Sequence, residues 1–120
     1  MAKDETSEWI SQANEDLETA EYNLTGKKYK AAVFFCQQAA EKAMKAFYIK
    51  KFGKLLKVHD IALLAHAVNA SEKLIDVCQK LSTYYIAARY PIGAQKISEE
   101  EAEDAFEMAQ MVIKWIKEKM

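Results

Sequence analysis

At 120 residues the chain is long enough for one domain and short for two, and a chain of this size buries about two-thirds of its unfolded surface without needing a disulfide or structural metal. Seventeen basic residues against eighteen acidic ones leave no global field to attract a polyanion, so any anion site must be a local cluster. The opening "MAKDETSEWI" lacks an apolar signal core and a small-residue cleavage site, and no run of eighteen apolar residues occurs, so a cytoplasmic protein without a membrane span is expected.

Three glycines, one proline and abundant Ala, Leu, Lys and Glu predict helix almost throughout. Across residues 7–24, Ile10, Ala13, Leu17, Ala20 and Leu24 recur at steps of three and four, with Glu8, Glu15, Glu18 and Glu21 between them. That pattern is an amphipathic helix with an acidic outer face, ending at Gly26. The second segment, "KYKAAVFFCQQAAEKAMKAFYIKKFG", has a basic last turn and Gly53 as its C-terminal stop. Gln37, Gln38, Glu41, Lys42 and Lys45 form a polar stripe about 140° wide on it, and the rest of the circumference is mostly apolar. Such a helix is expected to touch two partners, its own bundle and a second subunit.

"HDIALLAHAV" reads as a short helix of two to three turns, and "SEKLIDVCQKLSTYYIAARY" as a longer one. Tyr90 precedes the chain's only proline, Pro91, and is pushed out of the α region, so this helix should stop near Arg89. Ser98, with Glu101 three residues on, opens the last helix with a capping box. Four long helices and one short one, joined by short connections, predict an all-α, antiparallel up-and-down bundle in a single domain spanning residues 1–120.

Little in the chain suggests metal or nucleophile chemistry. His59 and His66 lie about 10 Å apart along a helix axis, too far to share an ion, and no zinc-protease or di-iron motif occurs. Cys36 sits in the apolar stretch "VFFCQQAA", where a thiol is inert, and Cys36 and Cys78 read as reduced core residues. No cofactor is expected.

Two constellations remain. One is the stripe, read either as a solvated face with a Glu41–Lys45 pair or as a binding surface through Gln38, Lys42 and Lys45. The other is Tyr85, Arg89, Tyr90 and Pro91 at a helix end, with His59 added. Arg89 is the only arginine among the seventeen basic residues. Lysine could equally meet the last carbonyls of a helix; only arginine supplies a planar fork that grips phosphate bidentately and stacks on a ring, and Tyr85 is one turn away.

"ANEDLETAEYNL", "YKAAVFFCQQAAEKAMKAFYI", "VHDIALL", "YYIAARYP" and "SEEEAEDAFEMAQMVIKWI", in that order, resemble the HEPN domain family (higher eukaryotes and prokaryotes nucleotide-binding) over about residues 7–118. The resemblance implies an antiparallel helical bundle, usually dimeric. Small free-standing members of this kind are commonly paired with a minimal nucleotidyltransferase in toxin–antitoxin-like two-component systems, and nucleotide binding has been proposed for the family. Other members are metal-independent ribonucleases that use an arginine followed four to six residues later by histidine. Here that spacing after Arg89 lands on Ala94, Gln95 and Lys96, and no histidine follows His66. The expectation is therefore a non-catalytic homodimeric module that binds a nucleotide or a nucleotide-bearing partner through Arg89, Tyr85, Tyr90, His59, Lys42, Lys45 and Gln38. The alternative is a ribonuclease in which His59 meets Arg89 in space and RNA is the ligand.

Overall fold

The computed structural model describes residues 5–89 and 96–120, with the side chains of residues 85–89 outside the description. Five helices make up the described fold: α1 Glu5–Thr25, α2 Tyr29–Phe52, α3 Ile61–Ala67, α4 Glu72–Arg89 and α5 Glu99–Lys119. No strand occurs among the described residues.

The helix boundaries follow local chemistry. Gly53 closes α2 in the left-handed region at φ 76°, its N–H donating to Ile49 O at 2.7 Å. Asp60 caps α3, its carboxylate accepting from the N–H groups of Ala62 (2.9 Å) and Leu63 (3.2 Å). At α5 the expected capping box is complete: Ser98 Oγ accepts from Glu101 N at 3.0 Å, and Glu101 Oε1 accepts from Ser98 N at 3.1 Å. Pro91 lies outside the described residues, but α4 runs to Arg89, where the sequence places its end.

Side-chain contacts between helices give their directions. Lys42 on α2 meets Asp16 on α1, and Lys45, one turn further along α2, lies over Trp9, nearer the start of α1, so the two helices are antiparallel. Tyr29 meets Glu99, and Phe47 packs edge-on against Trp115, so α2 and α5 run parallel. α5, parallel to α2, is therefore antiparallel to α1, which it touches through Lys117 and Asn14. α1 is therefore antiparallel to both α2 and α5, as an up-and-down bundle requires, while α2 and α5 meet across it.

Both helices of that diagonal are rich in small buried side chains. Ala39, Ala40, Ala43 and Ala46 on α2 and Ala102, Ala105 and Ala109 on α5 are all fully buried. Residues this small let helix axes approach closely. The other diagonal stays open, with no contact between α1 and α4 among the described residues. As a result α2 alone packs against all four other helices. Its broad apolar circumference is consumed within its own chain, so the width of that surface does not require a second subunit. Met44, Ile61, Leu64, Leu81 and Ile116 fill the remaining core.

The turn from α1 to α2 carries local strain. Lys28 N donates to Asn23 O (2.8 Å) and Lys27 N to Leu24 O (3.1 Å), the paired bonds of a Schellman motif. The left-handed position is therefore Lys27 (φ 62°), one residue after the glycine. An L-residue there costs roughly 1–2 kcal/mol, and glycine's extra freedom in the unfolded chain returns part of that. Lys27→Gly should therefore stabilise the protein by about 0.5–1 kcal/mol in urea denaturation, and a loss of stability would contradict this assignment of the turn.

Candidate functional site

The polar stripe of α2 is not a solvated face. Gln37, Glu41 and Lys45 are 0 %, 3 % and 7 % exposed. A buried polar atom without a partner is costly, so each of these groups must find one. Gln38 Nε2 donates to Gln37 Oε1 at 2.7 Å. Gln37 Nε2 in turn donates to Glu41 Oε1 at 3.0 Å. The other carboxylate oxygen, Glu41 Oε2, accepts Lys45 Nζ at 2.9 Å and meets His59 Nδ1 at 3.2 Å. Lys45 Nζ also lies 5.5 Å from the centre of the Trp9 ring, within cation–π range.

Lys42 takes a different direction. Its ammonium meets Asp16 Oδ2 at 2.6 Å, and Gln12 Nε2 donates to Asp16 Oδ1 at 3.2 Å. This second cluster fastens α1 to α2. Asp16 is itself buried at 5 % exposure.

The structure thus joins Gln38, Lys45 and His59 through Glu41 and separates Lys42 from them. The charges of both lysines are matched by carboxylates within 3 Å. His59 is the exposed end of the network, with 60 % of its side chain at the surface against 4 % for Glu41. Two restraints hold it: Glu41 grips the ring, and the next residue, Asp60, is fixed as the cap of α3. The side chains of Tyr85 and Arg89, and all of Tyr90, lie outside the described residues.

Asp16, Gln12 and Trp9 are members of these clusters that sequence reasoning did not place in a site, while Gln37 and Glu41 belonged to the stripe but not to its proposed binding residues. Asp16 had left a signal. It shares a face with Ala13 and Ala20, three residues before and four after it, on the side of α1 that turns inward rather than on the acidic outer face.

Cys36 and Cys78 are buried free thiols. Burial pushes both up to about 12, with Asp60 adding to the effect at Cys78, so neither is a thiolate nucleophile near neutral pH. Among the described residues no group of three or more His, Cys, Asp or Glu side chains is gathered to hold a metal ion. No helix among them is long and apolar enough to cross a membrane.

Removing one partner of a buried ion pair leaves the other charge uncompensated, at about 3–5 kcal/mol, whereas exchanging both for apolar groups of similar volume is often neutral. Glu41→Leu should lower stability by that order in chemical denaturation, and Glu41→Leu/Lys45→Met should recover most of the loss. Equal destabilisation by the single and double variants would contradict the pairing.

Comparison with known proteins places this geometry in context. The family model of the HEPN domain matches residues 6–119. The crystal structure of TT1696 from Thermus thermophilus is 30% identical to the chain at a TM-score of 0.89, covering 98% of this chain and 100% of that one. ST0689, an archaeal HEPN homologue, is 28% identical at a TM-score of 0.82 over 99% and 98% of the two chains. A HEPN domain protein from Thermotoga maritima is 27% identical at a TM-score of 0.77, covering 92% and 95%. No curated protein matches the chain. With a bundle of the same shape over nearly its whole length and a family match from residue 6 to residue 119, the chain belongs to the HEPN domain family.

Proposed function

We propose that the protein is a non-catalytic HEPN module that binds a nucleotide or a nucleotide-bearing partner, acts as a homodimer, and works beside a minimal nucleotidyltransferase in a toxin–antitoxin-like pair. The observation that supports this reading is the anchored His59: a buried and fully partnered carboxylate, Glu41, is devoted to holding an imidazole that is 60 % exposed. A buried ion pair is weak evidence for stability, because the cost of desolvating both charges often exceeds their attraction. Its placement beneath an exposed imidazole fits a recognition role better than a packing role.

In this reading Arg89 supplies the phosphate fork, Tyr85 or Tyr90 a stacking surface for the base, and His59 a polar contact. Lys42 and Lys45 act indirectly, by neutralising Asp16 and Glu41, and Gln38 orders the network through Gln37. Calorimetric titration with ATP tests it. A bidentate charged contact is worth about 1.5–3 kcal/mol, so Arg89→Lys should weaken binding roughly 10- to 100-fold and His59→Ala by less. Wild-type affinity in Arg89→Lys would contradict the clamp.

The ribonuclease reading has one observation in its favour: a carboxylate holding an exposed histidine is also how enzymes orient a general acid or base. Purified protein incubated with single-stranded RNA in chelator would then cleave it, and His59→Ala would not. Intact RNA with the wild-type protein would eliminate this reading.

A further inference from the structure

The proposed homodimer needs a surface, and the apolar circumference of α2 is already consumed within its own chain. The outer side of α5 offers one. Glu103, Glu107, Gln110, Met111, Lys114 and Lys117 are all exposed and follow one another along it at helical spacing. This stripe changes sign once. From Glu99 to Glu107 the helix carries six acidic residues and no basic one, and from Met108 to Lys119 it carries Lys114, Lys117 and Lys119 against Glu118 alone. The helix macrodipole favours acids at the start and bases at the end, but its effect is confined to the first and last turns. Glu107 and Lys114 lie outside both turns, and at about 10 Å apart along the axis they are too distant to pair with each other. Neither enters an ion pair among the described residues. The macrodipole therefore does not account for them.

Beside the stripe runs a groove between α1 and α5. Leu17, Phe106 and Ile113 give it an apolar lining, with Glu18 on the α1 side and Lys114 on the α5 side. Two large apolar side chains are left at the surface of these helices, Met111 at 39 % and Tyr22 at 81 % exposure. We propose that this face is the homodimer interface, with the two copies of α5 antiparallel across a two-fold axis that crosses the helix between Gln110 and Met111. The proposal rests on the homodimer reading and gives it a surface. An axis at that point sets Glu107 opposite Lys114 of the partner subunit and Asp104 opposite Lys117 of the partner subunit, and two-fold symmetry makes each pair twice. Glu103 and Glu118 are the one like-charged match, near the ends of the contact, where water and salt screen them. At the centre the uncharged Gln110 and Met111 meet their counterparts, and closing the groove removes its apolar lining from water. A stripe that is acidic in one half and basic in the other complements itself only in the antiparallel sense; a parallel pairing would set acid on acid and base on base.

Sedimentation equilibrium of the full chain at low ionic strength tests this with charge reversals at exposed positions. The wild type should dimerise. Glu107→Lys and Lys114→Glu should each weaken dimerisation by about 10-fold or more, because each turns two attractive pairs into two repulsive ones. An equimolar mixture of the two variants should associate as the wild type does, since position 107 of each then meets an opposite charge at position 114 of the other. The double variant Glu107→Lys/Lys114→Glu should likewise dimerise on its own, and recovery in either case shows that the single variants are folded. Wild-type dimerisation by both single variants, or no recovery in the mixture and the double variant, would overturn this interface while leaving the homodimer reading to another face. A wild-type chain that stays monomeric at millimolar concentration would overturn the homodimer reading and this interface together.

Discussion

A helix packed by four neighbours can leave few of its polar side chains to water. α2 is in that position: it packs against all four other helices, and half of its residues are buried. The outward stripe Gln37–Glu41–Lys45 is closed over by the aromatic ring of Trp9 on one side and by the segment carrying His59 on the other. Once those groups are dry, their hydrogen bonds must be made within the protein, and the interior has only a few donors and acceptors to offer. The network from Gln38 to His59 is the solution this chain adopts. Most of its members are there because α2 is central, and His59 carries it to the surface.

The fold was largely legible in the residues because its signals are local. Gly53 needs a left-handed backbone, Asp60 and Ser98 are cap residues, Glu101 completes a box, and the apolar positions of α1 and α5 repeat at helical spacing. The C-terminus of α1 was less so, since the left-handed residue is Lys27 rather than the neighbouring glycine. The site was legible only in part. Composition alone showed that α2 carried a polar stripe and that Arg89 was singular. It could not show that Glu41 is the hub, because hub status depends on His59 returning from eighteen residues downstream. It also could not separate Lys42 from Lys45, whose partners lie on another helix and on the same helix respectively. Helical periodicity reports which side chains share a face; it does not report what covers that face.

The same distinction explains the change in the roles of the two lysines. Read from sequence they are candidate phosphate contacts. In the fold they are counter-charges, one binding α1 to α2 and the other stabilising the carboxylate that grips His59. In the proposed reading, positive charge for a phosphate is therefore left to the single arginine of the chain, and a polar contact to His59.

A dry network beneath His59 requires α2 to be the enclosed axis of the bundle, and native-state amide hydrogen exchange tests that directly. The amides from Ala39 to Ala46 should be among the slowest in the protein and exchange only through global unfolding, with those on the outer face of α1 opening at lower cost. Exchange in the Ala39–Ala46 segment as fast as in α1, through local opening, would contradict an enclosed α2 and with it the network that holds His59.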